Sequence, residues 1–94
     1  MEKTYLKFKL PVSIIREGKK YVAYTPALDL STSANTFETA KKRFGELVNI
    51  FFDELVNKGT LEDVLMNLGW KKIQKEWSPP LVISQDFHTV CLKK

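Results

Sequence analysis

The sequence predicts an α+β protein of two layers, in which an antiparallel meander of three strands packs on one long amphipathic helix. Apolar and polar residues alternate with a period of two early in the chain, and a period of three to four replaces it at Phe37. A chain of 94 residues, 44% of them hydrophobic, suffices for one core without cross-links. We therefore expect a single domain over residues 1–94, with its core over residues 5–69 and the element order β-β-β-α-α-β.

The first three elements are predicted as strands. Alternation over residues 6–14 indicates a strand with one buried face. Pro11 lacks an N–H donor, which places this strand at a sheet edge or at a bulge. A turn over residues 16–19 leads to a returning strand over residues 20–25, and renewed alternation over residues 28–34 predicts a third, short strand.

Two helices are predicted after the meander. From Phe37 onwards, apolar residues recur at spacings of three and four residues, which predicts an amphipathic helix of about 20 residues. Thr36 is suited to the N-cap, and Gly59 is suited to the C-terminal end. Apolar residues at helical spacing over residues 61–68 predict a second helix of two turns.

The C-terminal part is predicted as a connector followed by strand. Residues 70–77 are polar with aromatic ends, and Pro79-Pro80 prevents any helix from continuing. Residues 81–83 and 87–92 are rich in β-branched and aromatic side chains, which predicts one or two terminal strands with a bend between them.

The formal net charge of +4 is unevenly distributed along the chain. Residues 1–20 carry six basic and two acidic side chains, residues 21–69 carry four and seven, and residues 70–94 carry five and two. No apolar run reaches the ~18 residues of a membrane span, and lysines interrupt the apolar residues at the N-terminus, unlike a signal peptide. With Cys91 as the only cysteine, we expect a cytoplasmic protein that does not contact a membrane.

Few side chains suggest catalysis, a cofactor or a metal. His88 is the only histidine and lies in a strand-like segment, where an exposed structural position is the simpler interpretation. Cys91 alternates with apolar residues, which is typical of a small filler or edge group. The carboxylates show no metal-ligand spacing, and the four glycines are scattered singly, so no phosphate-binding loop is predicted. We expect no catalytic residue, no cofactor and no metal site.

The segment most suited to binding a partner is the interruption after the second strand. Pro26 breaks a continuous strand pattern and is followed by apolar residues beside an acid, as in many recognition surfaces. The predicted partner-binding residues are Tyr24, Pro26, Leu28 and Asp29. The alternative interpretation is a plain bend between two strands.

The run Tyr21–Leu30 (YVAYTPALDL), followed by Ser31–Ala40 (STSANTFETA), resembles the HicB antitoxin family. That family's pattern is a glycine turn, "YVAY.P.L", a short strand, "GDT.EEA" and a long amphipathic helix. The resemblance covers residues 5–57, and residues 59–70 are similar to one branch of the family. It implies a partial, degenerate RNase H-like fold without nuclease activity. The implied function is to bind a HicA-type toxin, a small basic RNA-cleaving protein, and to occlude its active surface.

The sequence also departs from the family pattern. Ala34-Asn35 stands where the family has Gly-Asp, and residues 70–94 show no helix pair where many members carry a DNA-binding domain. We therefore do not expect a separate DNA-binding domain. If the terminal strand lies at a sheet edge, it would pair with a second copy, so a homo-oligomer, at least a dimer, is expected. The alternative function is a small nucleic-acid-binding or orphan regulatory protein without a toxin partner.

Overall fold

The computed structural model describes residues 8–93 and confirms the α+β class. Its elements in chain order are β1 (Ser13–Glu17), β2 (Lys20–Thr25), β3 (Leu30–Ala34), α1 (Phe37–Lys58), α2 (Leu61–Asn67), β4 (Lys71–Ile73) and β5 (Glu76–Ser78). Antiparallel pairing forms a three-stranded sheet in the order β1-β2-β3 and a separate sheet of β4 and β5. The three-stranded sheet packs against α1, as predicted.

The first strand begins later than predicted. Of the predicted strand over residues 6–14, Leu6 lies outside the described residues, and residues 8–12 do not form a strand. β1 starts at Ser13, two residues after Pro11, which cannot donate to a strand ladder. The apolar residues before Pro11 are partly buried against the core, so their alternation reflects packing without strand pairing.

The turn between β1 and β2 is tighter than predicted. Glu17 pairs with Lys20, so only two residues connect the strands. Gly18 adopts a φ of 62°, which a residue with a side chain rarely takes and which a two-residue hairpin requires. Residues assigned to the turn therefore extend β1, while β2 has the predicted bounds.

The predicted ends of the long helix are confirmed. The Thr36 hydroxyl accepts a hydrogen bond from the backbone N–H of Thr39 at 3.1 Å and so caps α1. Gly59 adopts a φ of 68°, and its N–H donates to the carbonyl of Val56 at 3.2 Å. The second helix begins at Leu61, as its apolar spacing predicts.

Most of the buried side chains form two clusters, and both clusters contact α1. The cluster between sheet and helix is built of small residues and one ring: Ala23, Ala34, Ala40 and Phe44. The larger cluster lies under the bend that follows β2: Ala27, Leu28, Leu65, Trp70 and Trp77. Val48 packs against both clusters and joins them.

The prediction for the C-terminal part was wrong in two respects. Residues 70–77 were predicted as a connector, but residues 71–78 form the β4–β5 hairpin around Gln74 and Lys75. Residues 79–93 have no regular structure, although strands were predicted over residues 81–83 and 87–92. Beyond Pro80 this C-terminal tail is exposed along its described length, and its apolar residues pair with no strand of the described structure.

Candidate functional site

The candidate site is the bend between β2 and β3, here called the Pro26 bend and comprising residues 24–29. The buried Thr25 hydroxyl accepts a hydrogen bond from the backbone N–H of Ala27 at 3.3 Å, which closes the turn around Pro26. Asp29 takes a φ of 52°, a conformation that short polar residues tolerate better than most. The Tyr24 hydroxyl donates to the Asp29 carboxylate at 3.4 Å, so the two ends of the bend meet.

The bend is held from beneath by a residue far away in the sequence. The indole N–H of Trp70 donates to the carbonyl of Ala27 at 2.8 Å. This carbonyl belongs to a fully buried residue. Without the Trp70 indole it would have no hydrogen-bond donor, and water would not reach it to replace the lost bond. The Trp70 ring in turn packs edge-on to Phe8 and Phe52, with ring centroids 5.0 and 6.3 Å away.

The structure brings three of the four predicted partner-binding residues to the surface. Pro26 and Asp29 are exposed, and Tyr24 is half-buried. The prediction for Leu28 was wrong, because its side chain is only 3% exposed and belongs to the cluster with Trp70. Leu28 therefore anchors the bend to the core and is not available to a partner. The surface of the bend consists of a phenol, a proline ring and a carboxylate.

Several basic side chains outside the bend are held by contacts within the chain. The Arg43 guanidinium donates to the carbonyl of Ser33 at 3.0 Å, and the Lys41 ammonium lies 5.5 Å from the centre of the Phe37 ring. These contacts tie two members of the basic run on α1 to the protein itself. The carboxylate of Asp29 lies in the acidic middle segment of the chain.

The other candidates for chemistry lie apart from the bend. His88 and Cys91 are both in the exposed C-terminal tail, and Cys91 is a free thiol. Within residues 8–93, no group of three or more His, Cys, Asp and Glu side chains is placed to hold a metal ion. In the same part of the chain, neither helix combines the length and the apolar character needed to cross a bilayer.

Sequence reasoning missed Trp70 as part of the site, and it misjudged the tail. Trp70 and Ala27 are 43 positions apart in the sequence, so there is no local signal for their hydrogen bond. The aromatic residues flanking a polar stretch were the only indication that residues 70–77 return to the core.

The fold and the site define an α+β protein with an exposed bend whose backbone is hydrogen-bonded to Thr25 and Trp70 and packs on the larger core. Searches against known protein families, curated proteins and solved structures found no match for the chain.

Proposed function

We propose that the chain is a protein-binding module of the antitoxin type, which neutralises a small HicA-type RNA-cleaving toxin by covering its active surface with the Pro26 bend. The resemblance of residues 21–40 to the HicB pattern suggests this partner. The observation that carries the proposal is the combination of exposure and rigidity at the bend. Its tip faces solvent while its backbone is fixed by Thr25 and Trp70.

Rigidity matters because a binding loop that is ordered in advance loses less conformational entropy on binding. Ordering a mobile, rotamer-rich side chain costs about 0.5 to 1.5 kcal/mol, and ordering backbone costs about 1 to 2 kcal/mol per residue. The buried Ala27 and Leu28 are already held in the core before any partner arrives. The bend therefore presents Tyr24, Pro26 and Asp29 in a fixed arrangement.

The chemistry of the bend suits a basic partner. A phenol and a proline ring offer apolar contact area at low entropic cost, as at many protein interfaces. The carboxylate of Asp29 adds negative charge within the segment over residues 21–69, which carries seven acidic and four basic side chains. Complementary charge mainly accelerates association and orients the partner.

The first experiment co-expresses the tagged full chain with the product of a neighbouring reading frame that encodes a small basic protein with one histidine. We expect the two proteins to purify together, and RNA cleavage by the partner to stop when the chain is added in equal amount. Cleavage that continues in the presence of excess chain would contradict the proposal. RNA cleavage by the purified chain alone would contradict it as well.

Asp29→Asn tests the role of the carboxylate with little change in shape, because asparagine also tolerates a positive φ. We expect the association rate with the partner to fall about three- to tenfold, and the difference to shrink as salt is added. Asp53→Asn is the matched control, since Asp53 is an exposed carboxylate of the same acidic segment but belongs to α1 and not to the bend. Equal effects of both substitutions would show that net charge, and not the bend, attracts the partner.

The alternative, a nucleic-acid-binding protein, is separated from this proposal by its salt dependence. A protein that neutralises several phosphates loses affinity for RNA steeply as salt rises, by about a thousandfold or more for six contacts between low and physiological salt. The exposed lysines of the β4–β5 hairpin and of the β1–β2 turn would supply such contacts. Tight, salt-sensitive binding of RNA by the chain alone would favour the alternative.

A further inference from the structure

The C-terminal tail leaves a set of large apolar side chains in water. Its exposed members are Leu81, Val82, Ile83, Phe87, Val90 and Leu92. Ile83 is 94% exposed, and Phe87 is as exposed as in an extended peptide. Scattered apolar residues on a surface are ordinary, but a continuous segment of them marks a site of interaction.

The tail also makes the chain elongated. Its radius of gyration is 16.2 Å, and its extents are 60 × 29 × 21 Å. A compact domain of this length has a radius of gyration of about 12 Å. An extended segment covers up to ~3.3–3.6 Å per residue, so residues 79–93, which form no helix or strand, are long enough to contribute to the long dimension. The chain is therefore less compact than a domain of its length, and residues 81–93 are exposed throughout.

The composition of residues 87–92 suits a strand that is covered on both faces. The segment Phe-His-Thr-Val-Cys-Leu contains no glycine and no proline, and most of its residues favour strands. Apolar or weakly polar side chains occur on both faces of the alternation, with Phe87 and Cys91 on one face and Val90 and Leu92 on the other.

The outer edge of β1 is a matching acceptor. β1 ends the sheet order, so among residues 8–93 no strand lies along one side of its backbone. Ile14 packs towards α1, whereas Ile15 is 51% exposed on the opposite face, so a strand added here needs apolar side chains on both faces. The opposite edge, β3, is less suitable because the Ser33 carbonyl already accepts from Arg43.

The root of the tail lies at the start of β1. The Gln85 side-chain amide lies 3.5 Å from the Ser13 hydroxyl, and residues 82–85 line a shallow groove together with residues 11–13. In the single chain, residues 87–92 continue past this point without pairing to β1. In a two-fold symmetric dimer, each molecule would offer its β1 edge to residues 87–92 of the other, so both tails would be exchanged by the same operation.

From this geometry we infer that residues 87–92 of one copy add as a fourth strand to the outer edge of β1 in a second copy, so that the protein is a dimer with exchanged tails. The six-residue segment matches the five residues of β1 in length. Each dimer covers the β1 edges of both copies and residues 87–92 of both tails. This inference does not depend on the toxin proposed above, and its test contains no toxin.

The first test uses the full chain with Val90→Asp, which places a charge in the middle of the exchanged strand. We expect the wild type to be a dimer by light scattering coupled to size-exclusion chromatography. The substitution should raise the dimer dissociation constant about tenfold per tail, hence about a hundredfold per dimer, because each tail buries a carboxylate. Gln74→Asp is the control, since it adds the same charge at the exposed β4–β5 turn and should leave the dimer unchanged.

The second test identifies the surface to which the tail binds, and it uses the fact that Cys91 is the only cysteine. Protein carrying Cys91 is mixed with protein carrying Arg16→Cys and Cys91→Ser, and a short bismaleimide is added. If the tail binds the partner's β1, the reaction gives a cross-linked heterodimer. The control replaces the second protein by one that carries Asn49→Cys and Cys91→Ser, which places the thiol on the exposed side of α1. We expect about tenfold less cross-linked heterodimer in the control.

Three outcomes would overturn the inference. The first is a monomeric wild type throughout the micromolar range. The second is a dimer that tolerates Val90→Asp as well as it tolerates Gln74→Asp. The third is cross-linking between two Cys91 thiols with none to residue 16, which would show that the tails pair with each other.

Discussion

Trp70 has two roles, since its ring fills the larger core and its N–H holds the Pro26 bend. We predict that Trp70→Phe destabilises the protein by about 1 to 2 kcal/mol more than Trp77→Phe does, because it leaves the buried Ala27 carbonyl without a donor. Both substitutions exchange a buried indole for a phenyl ring, so the loss of ring volume is similar. Urea unfolding followed by far-ultraviolet circular dichroism, at one protein concentration, measures the difference. Equal destabilisation would mean that the Trp70–Ala27 hydrogen bond contributes no net stability.

At the scale of elements, the two helix starts differ in a way that can be measured. The Thr36 hydroxyl caps α1 through the Thr39 N–H, whereas the Thr60 side chain makes no capping hydrogen bond at the start of α2. Thr36→Ala should therefore lower the free energy of unfolding by about 1 kcal/mol, and Thr60→Ala by a few tenths at most. Thermal unfolding of both variants tests this. A loss at Thr60 equal to that at Thr36 would show that the hydroxyl of Thr36 does not act as a cap.

The sequence predicted those elements whose signals are local. The period of the apolar residues, Thr36 and Gly59 together determine where α1 begins and ends, and all three can be recognised within a few residues. The β4–β5 hairpin was missed because its turn is formed by Gln74 and Lys75, which take φ of 50° and 72°. Glycine or asparagine usually occupies such positions, so the usual turn signal is absent.

The position of the candidate site in the chain was predicted, but the direction in which its side chains point was not. Pro26 correctly marked the bend, since proline interrupts a strand wherever it falls. Whether Leu28 points outwards or into the core depends on Leu65 and Trp70, which approach from distant parts of the chain. The strand propensity of residues 87–92 predicted a strand, but a strand also needs a partner, and in the described structure these residues pair with no other strand.

At the scale of the whole molecule, Val48 lies where the two core clusters meet. Because one helix passes through both clusters, neither is expected to unfold without the other, and unfolding should be one cooperative transition. Both tryptophans lie in the larger cluster, so their fluorescence reports on it, whereas circular dichroism of α1 reports on both clusters.

We predict that Val48→Ala lowers the free energy of unfolding by about 1 to 2 kcal/mol and shifts the fluorescence and circular dichroism transitions together, because the lost methyl groups contact both clusters. Val56→Ala is the control, since Val56 is on the same helix but 59% exposed, and the gain in helix propensity is the same for both substitutions. Its stability should be equal to or slightly above that of the wild type. Two separate transitions in Val48→Ala, with tryptophan fluorescence changing at a lower urea concentration, would contradict a shared core and would instead indicate two independent folding units that α1 merely connects.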